Sequence, residues 1–513
     1  MAHGCLSALA ADSQWSQCIS TLAEFTQLFK SDEYRNNASM SVFNDIFAAL
    51  SLMKAAMTTD ANKTAAVTTV VNRTAATTTG TDKTAPSTSV TTITEREHPL
   101  DDYLVKCVTE TFRCLRNACA GCSDNQTTIG GSATVMSDTC AVLEVVIGQP
   151  STAELITLQR CAMQVIGNLC VGHNQNQENV CRTFLCTFRR LLQSSDSGVV
   201  NYTCMVLHNC LLTADRTSRV LPDYLSLDDD TVASVVLSVI ERTVQADMEW
   251  GLFVVEDLLQ VAAFCETIYT RLPPTHRLFV VEVVIGMLKR AESDTSMEKI
   301  HVVAVENLLY LGREVKTYSH QILHAGLQDT EDSQTSLLLV KILEALGMAT
   351  SQHSLYGSLQ NDSDFLKCCV NLLHGIQDIG RQGGNHFTAV EKMTESDQID
   401  PHHPAFGLKR DLIRLLANMV FRHKANQDKI RELDGISLIL DQSNMDGRNP
   451  FITQWVVLAV RNLCEGNSDN KQYLAGLRLE GLSNNVTVLQ EFGVKAELQG
   501  DKIVVRPPDE DSP

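Results

Sequence analysis

The chain has 513 residues, a net charge of −19 and a pI near 5.2. An acidic surface gains nothing from counterion release, so this composition excludes generic nucleic-acid binding and adhesion to an anionic bilayer. It favours basic protein segments as partners. Aromatic residues make up only 5% of the chain, and Leu, Val and Ala fill its apolar stretches, which suits helix-on-helix packing better than a sandwich of sheets.

Residues 1–57 carry helical spacing in Ile19, Leu22, Phe25 and Phe29 and again in Phe43, Ile46, Phe47 and Leu50. The opening Met1-Ala-His-Gly-Cys-Leu6 has neither a basic region nor an apolar core, so no signal peptide is expected. Seventeen cysteines at irregular spacing are then expected to be reduced, mostly buried thiols, and the Asn-X-Ser/Thr sequons to be coincidental. At Thr58 the composition changes. As far as His98 the chain is mostly Thr, Ala and small polar residues, with Asn62-Lys-Thr-Ala, Asn72-Arg-Thr-Ala and Asp82-Lys-Thr-Ala repeating every ten residues. Ten residues are too few for a helical hairpin, and the mix cannot bury a core, so 58–98 is expected to be a disordered insert.

Helical periodicity resumes over 99–379. Its most apolar run, Leu278–Leu288, is broken by Glu282 and is too short to span a bilayer, so it reads as a core helix. Residues 380–404, with Gly383-Gly384 and Pro401-His-His-Pro404, read as a loop, and 405–482 as a second helical stretch. In the tail, 483–513, Val494–Leu498 and Lys502–Arg506 flank Gln499-Gly500-Asp501, which predicts a small β-hairpin before an acidic end.

One pattern recurs through the helical stretches: an Asn, a second Asn eight positions on, and an apolar residue four later. It occurs at Asn117, Asn125 and Ile129, at Asn168, Asn176 and Val180, at Asn418, Asn426 and Ile430, and at Asn462, Asn470 and Leu474. Copies stand 51 and 44 residues apart, near the period of stacked helical hairpins. Weaker copies lie at Asn209 and Asn307, another repeat surrounds Leu343–Gly347, and Gly435 marks a turn between a short and a longer helix. The spacing places the first Asn near the end of a long helix and makes the second an N-cap of the next. The expected fold is therefore all-α: an armadillo- or HEAT-like right-handed helical-repeat solenoid of roughly seven to nine repeats.

Phe112-Arg-Cys-Leu-Arg-Asn-Ala-Cys119, followed by Asn125-Gln126, resembles the ataxin-10 family. So do Asp411–Met419, Asn426-Gln-Asp-Lys429, Glu432-Leu-Asp-Gly-Ile436, Asn449-Pro-Phe-Ile-Thr-Gln-Trp455 and Ala459-Val-Arg-Asn-Leu463, with Phe492-Gly-Val and Gly500-Asp-Lys-Ile-Val closing the chain. The resemblance spans residues 112–129 and 405–506; the Thr-rich insert does not share it. It implies a cytoplasmic adaptor, with perinuclear, centrosomal, basal-body or midbody sites. The implied roles are neuronal survival, neurite outgrowth through Ras–MAP kinase signalling, and cytokinesis. The implied partners are a G-protein β subunit, the O-GlcNAc transferase and mitotic kinases. Association with further copies of the chain is compatible with this reading.

No catalytic, cofactor or metal assignment is made. Cys119-Ala-Gly-Cys122 lacks a second pair at finger-like spacing, His402-His403 lacks partners, and no phosphate-binding glycine motif is present. The residues expected to serve a groove are Asn117, Asn168, Asn418 and Asn462, whose amides could clamp an extended peptide backbone, or else bridge neighbouring helices. The expected N-caps are Asn125, Asn176, Asn426 and Asn470. The alternatives are an unrecognised enzyme or a nuclear-import type of adaptor, which would carry Trp four residues before each groove Asn. Here those positions are Arg113, Gln164, Arg414 and Leu458.

Overall fold

The computed structural model describes residues 5–77, 100–211, 221–222, 224–293, 302–325, 333–390, 399–477, 495–499 and 502–506. Helices dominate, and the reason is local. In Asp102–Cys119, the Asp101 carboxylate accepts from the backbone N–H of Tyr103 and Leu104, satisfying two donors that the first turn cannot. Leu104, Val108, Phe112, Leu115 and Cys119 then form one buried stripe. Phe112 is fully buried, which stabilises by about 2–3 kcal/mol. The chain divides into two compact units, Met1–Leu258 and Leu259–Pro513.

The first unit holds α1 (Leu6–Ala11), α2 (Trp15–Leu28), α3 (Asp32–Asn36), α4 (Met40–Thr77), α5 (Asp102–Cys119), α6 (Ser123–Gly130), α7 (Ala133–Ile147), α8 (Ala153–Cys170), α9 (Asn174–Leu191), α10 (Ser197–Leu211), α11 (Asp230–Ala246) and α12 (Glu249–Leu259). They stack in chain order as two rows. In one, α2, α5, α8 and α10 pack successively; in the other, α1, α4, α7, α9 and α11 do.

The second unit holds α13 (Phe264–Thr267), α14 (Pro274–Ser293), α15 (Val305–Ala325), α16 (Ser333–Ala349), α17 (His353–Tyr356), α18 (Ser363–Arg381), α19 (Leu408–Met419), α20 (Lys424–Glu432), α21 (Gly435–Asp441), α22 (Ile452–Cys464) and α23 (Ser468–Gly476). Here α14, α16, α19 and α22 pack in succession, with α13, α15 and α18 alongside. Each unit is thus an all-α stack of helical repeats. Strands β1 (Lys495–Gln499) and β2 (Lys502–Arg506) pair antiparallel, Lys495 opposite Arg506.

The insert expected to be disordered from Thr58 needs correction over its first part. Helix α4 runs on to Thr77, and the remainder of 58–98, from 78, lies outside the described residues. No Gly or Pro stands between Met40 and Thr77, and the many alanines propagate the helix despite the threonines. Packing nevertheless stops near the expected boundary, because Met57 is the last buried residue described on α4. Asn307, expected near a helix end, is instead the third residue of α15. Deleting 64–98 should therefore change stability by less than about 0.5 kcal/mol. Thermal melts followed by circular dichroism check this; a fall of many degrees would place the segment inside the core.

Candidate protein-interaction surface

The asparagine pattern falls on the row α2, α5, α8, α10 in the first unit and α16, α19, α22 in the second. Every helix end leaves its last four carbonyls without intrahelical partners. Buried, such groups each cost about 1–3 kcal/mol when unsatisfied. The chain meets this cost with amide side chains, in a repeating scheme.

The first Asn of each copy donates to the preceding helix of the row. Asn117 Nδ2 reaches the Thr26 carbonyl at 3.1 Å, Asn168 that of Arg116 at 3.1 Å, and Asn209 that of Gly167 at 3.2 Å. Asn462 reaches Ala417 O at 2.9 Å, and Asn418 reaches Gly347 O at 3.0 Å and Thr350 Oγ1 at 3.3 Å. The accepting residues Arg116, Gly167 and Ala417 each stand one position before the Asn of their own helix. The scheme is a translation from rung to rung.

The second Asn ties two carbonyls together. Asn176 Nδ2 donates to Leu169 O at 3.0 Å and to Gln126 O of the preceding repeat at 2.9 Å. Asn426 does the same with Met419 O and Gln360 O, Asn470 with Leu463 O and Gln427 O, and Asn125 with Ala118 O and Arg35 O. At the rungs of Asn168, Asn418 and Asn462 a glutamine of the preceding repeat reaches forward. Gln126 Nε2 donates to Asn168 O and Val171 O, Gln360 to Asn418 O and Phe421 O, and Gln427 to Asn462 O and Glu465 O. In the last copy Lys471 stands where Gln would follow the second Asn, and no forward contact is made from it among the described residues.

Two expectations are corrected by this geometry. Asn125, Asn176, Asn426 and Asn470 are not N-caps: they lie three residues inside α6, α9, α20 and α23, with their amides turned back to carbonyls. The caps are His173 and His423, whose Nδ1 atoms accept from the Asn176 and Asn426 backbone N–H, and Asn467, which accepts from Asn470; Cys122 makes no side-chain cap. Before each cap the chain turns through positive φ, at Gly121, Gly172, Arg422 and Gly466. The peptide clamps are likewise bridges within the stack. Asn418 and Asn462 are only 5% and 4% exposed, and the Nδ2 groups of all four candidates already donate to neighbouring helices. The bridging glutamines went unrecognised although Gln126 and Gln427 directly follow the second Asn; Gln360 stands out of register and leaves no signal.

The positions four before each Asn, Arg113, Gln164, Arg414 and Leu458, are all partly exposed. Arg113 holds Glu110 at 3.1 Å, Gln164 accepts from Arg116 Nη1 at 2.6 Å, and Arg414 lies with its guanidinium over the Trp455 ring, 5.6 Å from the centroid. The Cys119-x-x-Cys122 pair sits in a corner, where burial pushes the Cys119 thiol up to about 12 and keeps it protonated. His403 stacks on His386 with centroids 3.6 Å apart. Among the described residues, no three His, Cys, Asp or Glu side chains gather as metal ligands.

The chain is similar to known proteins over most of its length. Residues 408–506 match the family model described as the spinocerebellar ataxia type 10 protein domain. Ataxin-10 of Bos taurus is 30% identical over 407 residues, which cover 78% of this chain and 82% of that protein. The chain belongs to the ataxin-10 family. Ataxin-10 of Xenopus tropicalis is 29% identical over 77% of this chain and 80% of that protein, and the human protein 29% identical over 78% and 82%. A solved engineered protein aligns at 13% identity over 90% of this chain and 99% of that one with a TM-score of 0.33, too low to bear on the fold.

Two outcomes follow for stability. Asn176→Ala and Asn426→Ala each strand two buried carbonyls, so each should cost more than the ~1 kcal/mol of a lost N-cap, about 2–4 kcal/mol. Urea denaturation measures this, and a loss near 1 kcal/mol would restore the capping assignment. Gly172→Ala meets no atom within 4 Å but forces a side chain into φ +65°, and should cost about 1–2 kcal/mol. Arg422→Gly, which relieves φ +51° at the equivalent corner, should cost almost nothing in the same assay.

Proposed function

We propose that the chain is a non-enzymatic cytoplasmic scaffold that gathers protein partners on the outward positions of its asparagine row. Membership of the ataxin-10 family carries this reading. The polar groups that build the rungs are committed inside the stack, so the outward residues are the ones left to meet a partner. The finer proposal follows the family: roles in neuronal survival, in neurite outgrowth through Ras–MAP kinase signalling and in cytokinesis. Its partners would be a G-protein β subunit, the O-GlcNAc transferase and mitotic kinases, met at perinuclear, centrosomal, basal-body or midbody sites.

Calorimetric titration of the purified full chain against these partners tests the proposal. Saturable binding of a purified G-protein β subunit or of the O-GlcNAc transferase is the expected result. Binding of importin-β together with a basic nuclear-import peptide, and of none of the others, would overturn it in favour of an import-type adaptor.

A further inference from the structure

Arg414 of α19 differs from the other arginines of the asparagine row. A guanidinium carries five N–H donors. The only acceptor within reach of this one, among the described residues, is the Glu344 carbonyl, 3.4 Å from Nη2, and its Nε is buried with no acceptor at all. Two other arginines have a buried, unmet Nε, but their remaining nitrogens are engaged: Arg35 on Phe29 O and Asp32, and Arg242 on Ser194 O at 2.9 Å and Gln245 at 3.1 Å.

The neighbouring charges are spoken for as well. Arg410 grips Asp411 through two bonds of 3.0 and 2.9 Å, and Lys341 holds Glu344 at 2.7 Å. Gly347 lies beside the Arg414 side chain, since a Cβ there would stand 3.3 Å from Nε, and Trp455 of α22 lies on its flank. Burial pulls this guanidinium below its usual value, and Asp411 offsets that only in part. The charge is thus pre-seated over an aromatic ring with most of its donors unused, at a partly exposed position.

We propose that Arg414 and Trp455 form a docking site for a carboxylate of an acidic segment in a partner protein. Charge complementarity selects this occupant, because a planar guanidinium engages a carboxylate through two parallel bonds. A phosphate dianion fits less well, because Asp411, Glu344 and Glu292 all act on this guanidinium and would repel the second charge. The site reverses the preference for basic partners that net charge alone suggests. It deepens the scaffold reading and rests on it, naming the chemistry of one partner contact.

The test uses the full chain and a fluorescein-labelled Gly/Ser peptide bearing Glu-Asp-Glu, followed by anisotropy. The Glu-Asp-Glu peptide should bind, and its Gln-Asn-Gln counterpart should bind at least about tenfold more weakly. Arg414→Gln should weaken the acidic peptide about ten- to a hundredfold. Arg414→Met should do the same while melting at an unchanged or higher temperature, since it removes an under-paired buried charge. Equal binding of the neutral peptide, tighter binding of a phosphoserine or Lys-rich peptide, or unaltered affinity in Arg414→Gln overturns the proposal. So does a melting temperature many degrees lower in Arg414→Met, which would make Arg414 a structural strut. If the whole G-protein β subunit or O-GlcNAc transferase binds while no acidic peptide does, this site fails and the scaffold stands.

Discussion

The stack depends on the carbonyls at the ends of its row helices. Burying four acceptors at each of several successive corners would cost more than a domain's net stability if they went unmet. Here they are shared out by address. In the rung at Asn168, the Gly167 carbonyl takes the next repeat's Asn209, the Asn168 carbonyl takes Gln126 of the repeat before, Leu169 takes Asn176 and Cys170 takes Gln177. The corner at Asn418 is held in the same way, and both are tied by side chains of three consecutive repeats. Hydrophobic burial supplies the driving force, but the amides set which helix follows which and at what offset.

This explains the division of labour on the row. A residue that must satisfy a buried carbonyl cannot also meet a partner, so the asparagines that look most like ligand-binding groups are the least available. If the chain is a scaffold, as proposed, contact with other proteins would fall to neighbouring positions whose side chains the stack does not need. In the first unit Arg113 and Gln164 have local partners, whereas in the second Arg414 has almost none, so equivalent positions differ in chemistry.

Much of this was legible in the chain itself. Period and patterning gave the all-helical repeat class, and the paired asparagines marked the corners where rungs occur. What failed was the assignment of roles inside the corner. An Asn near a predicted helix start reads as a cap, because capping is the commonest local use of that side chain. Nothing in a single sequence reveals that His173 and His423 have taken the cap, which frees Asn176 and Asn426 to face the other way. Gln360 escaped for a different reason. A short 3₁₀ turn at Gly357–Asn361 displaces it, so only the fold brings its amide to Asn418 O. The end of helix α4 was misjudged because threonine-rich composition suggests disorder, whereas helix propagation needs only the absence of a breaker.

The translational addressing of the rungs has a consequence for how such a chain can change over evolutionary time. A rung is defined by short local offsets: an Asn, its partner eight residues on, and a glutamine beside it. The segments joining one rung to the next enter none of those offsets. Additions between rungs therefore leave every amide aimed at its carbonyl, while a single residue gained or lost inside a corner would misaim several bonds together. The first two ten-residue Thr/Ala repeats, at Asn62 and Asn72, lie in α4 beyond Met57, its last described buried residue, and the third, at Asp82, falls in sequence between α4 and α5. A chain built this way can accordingly lengthen between its rungs while its corners keep their geometry.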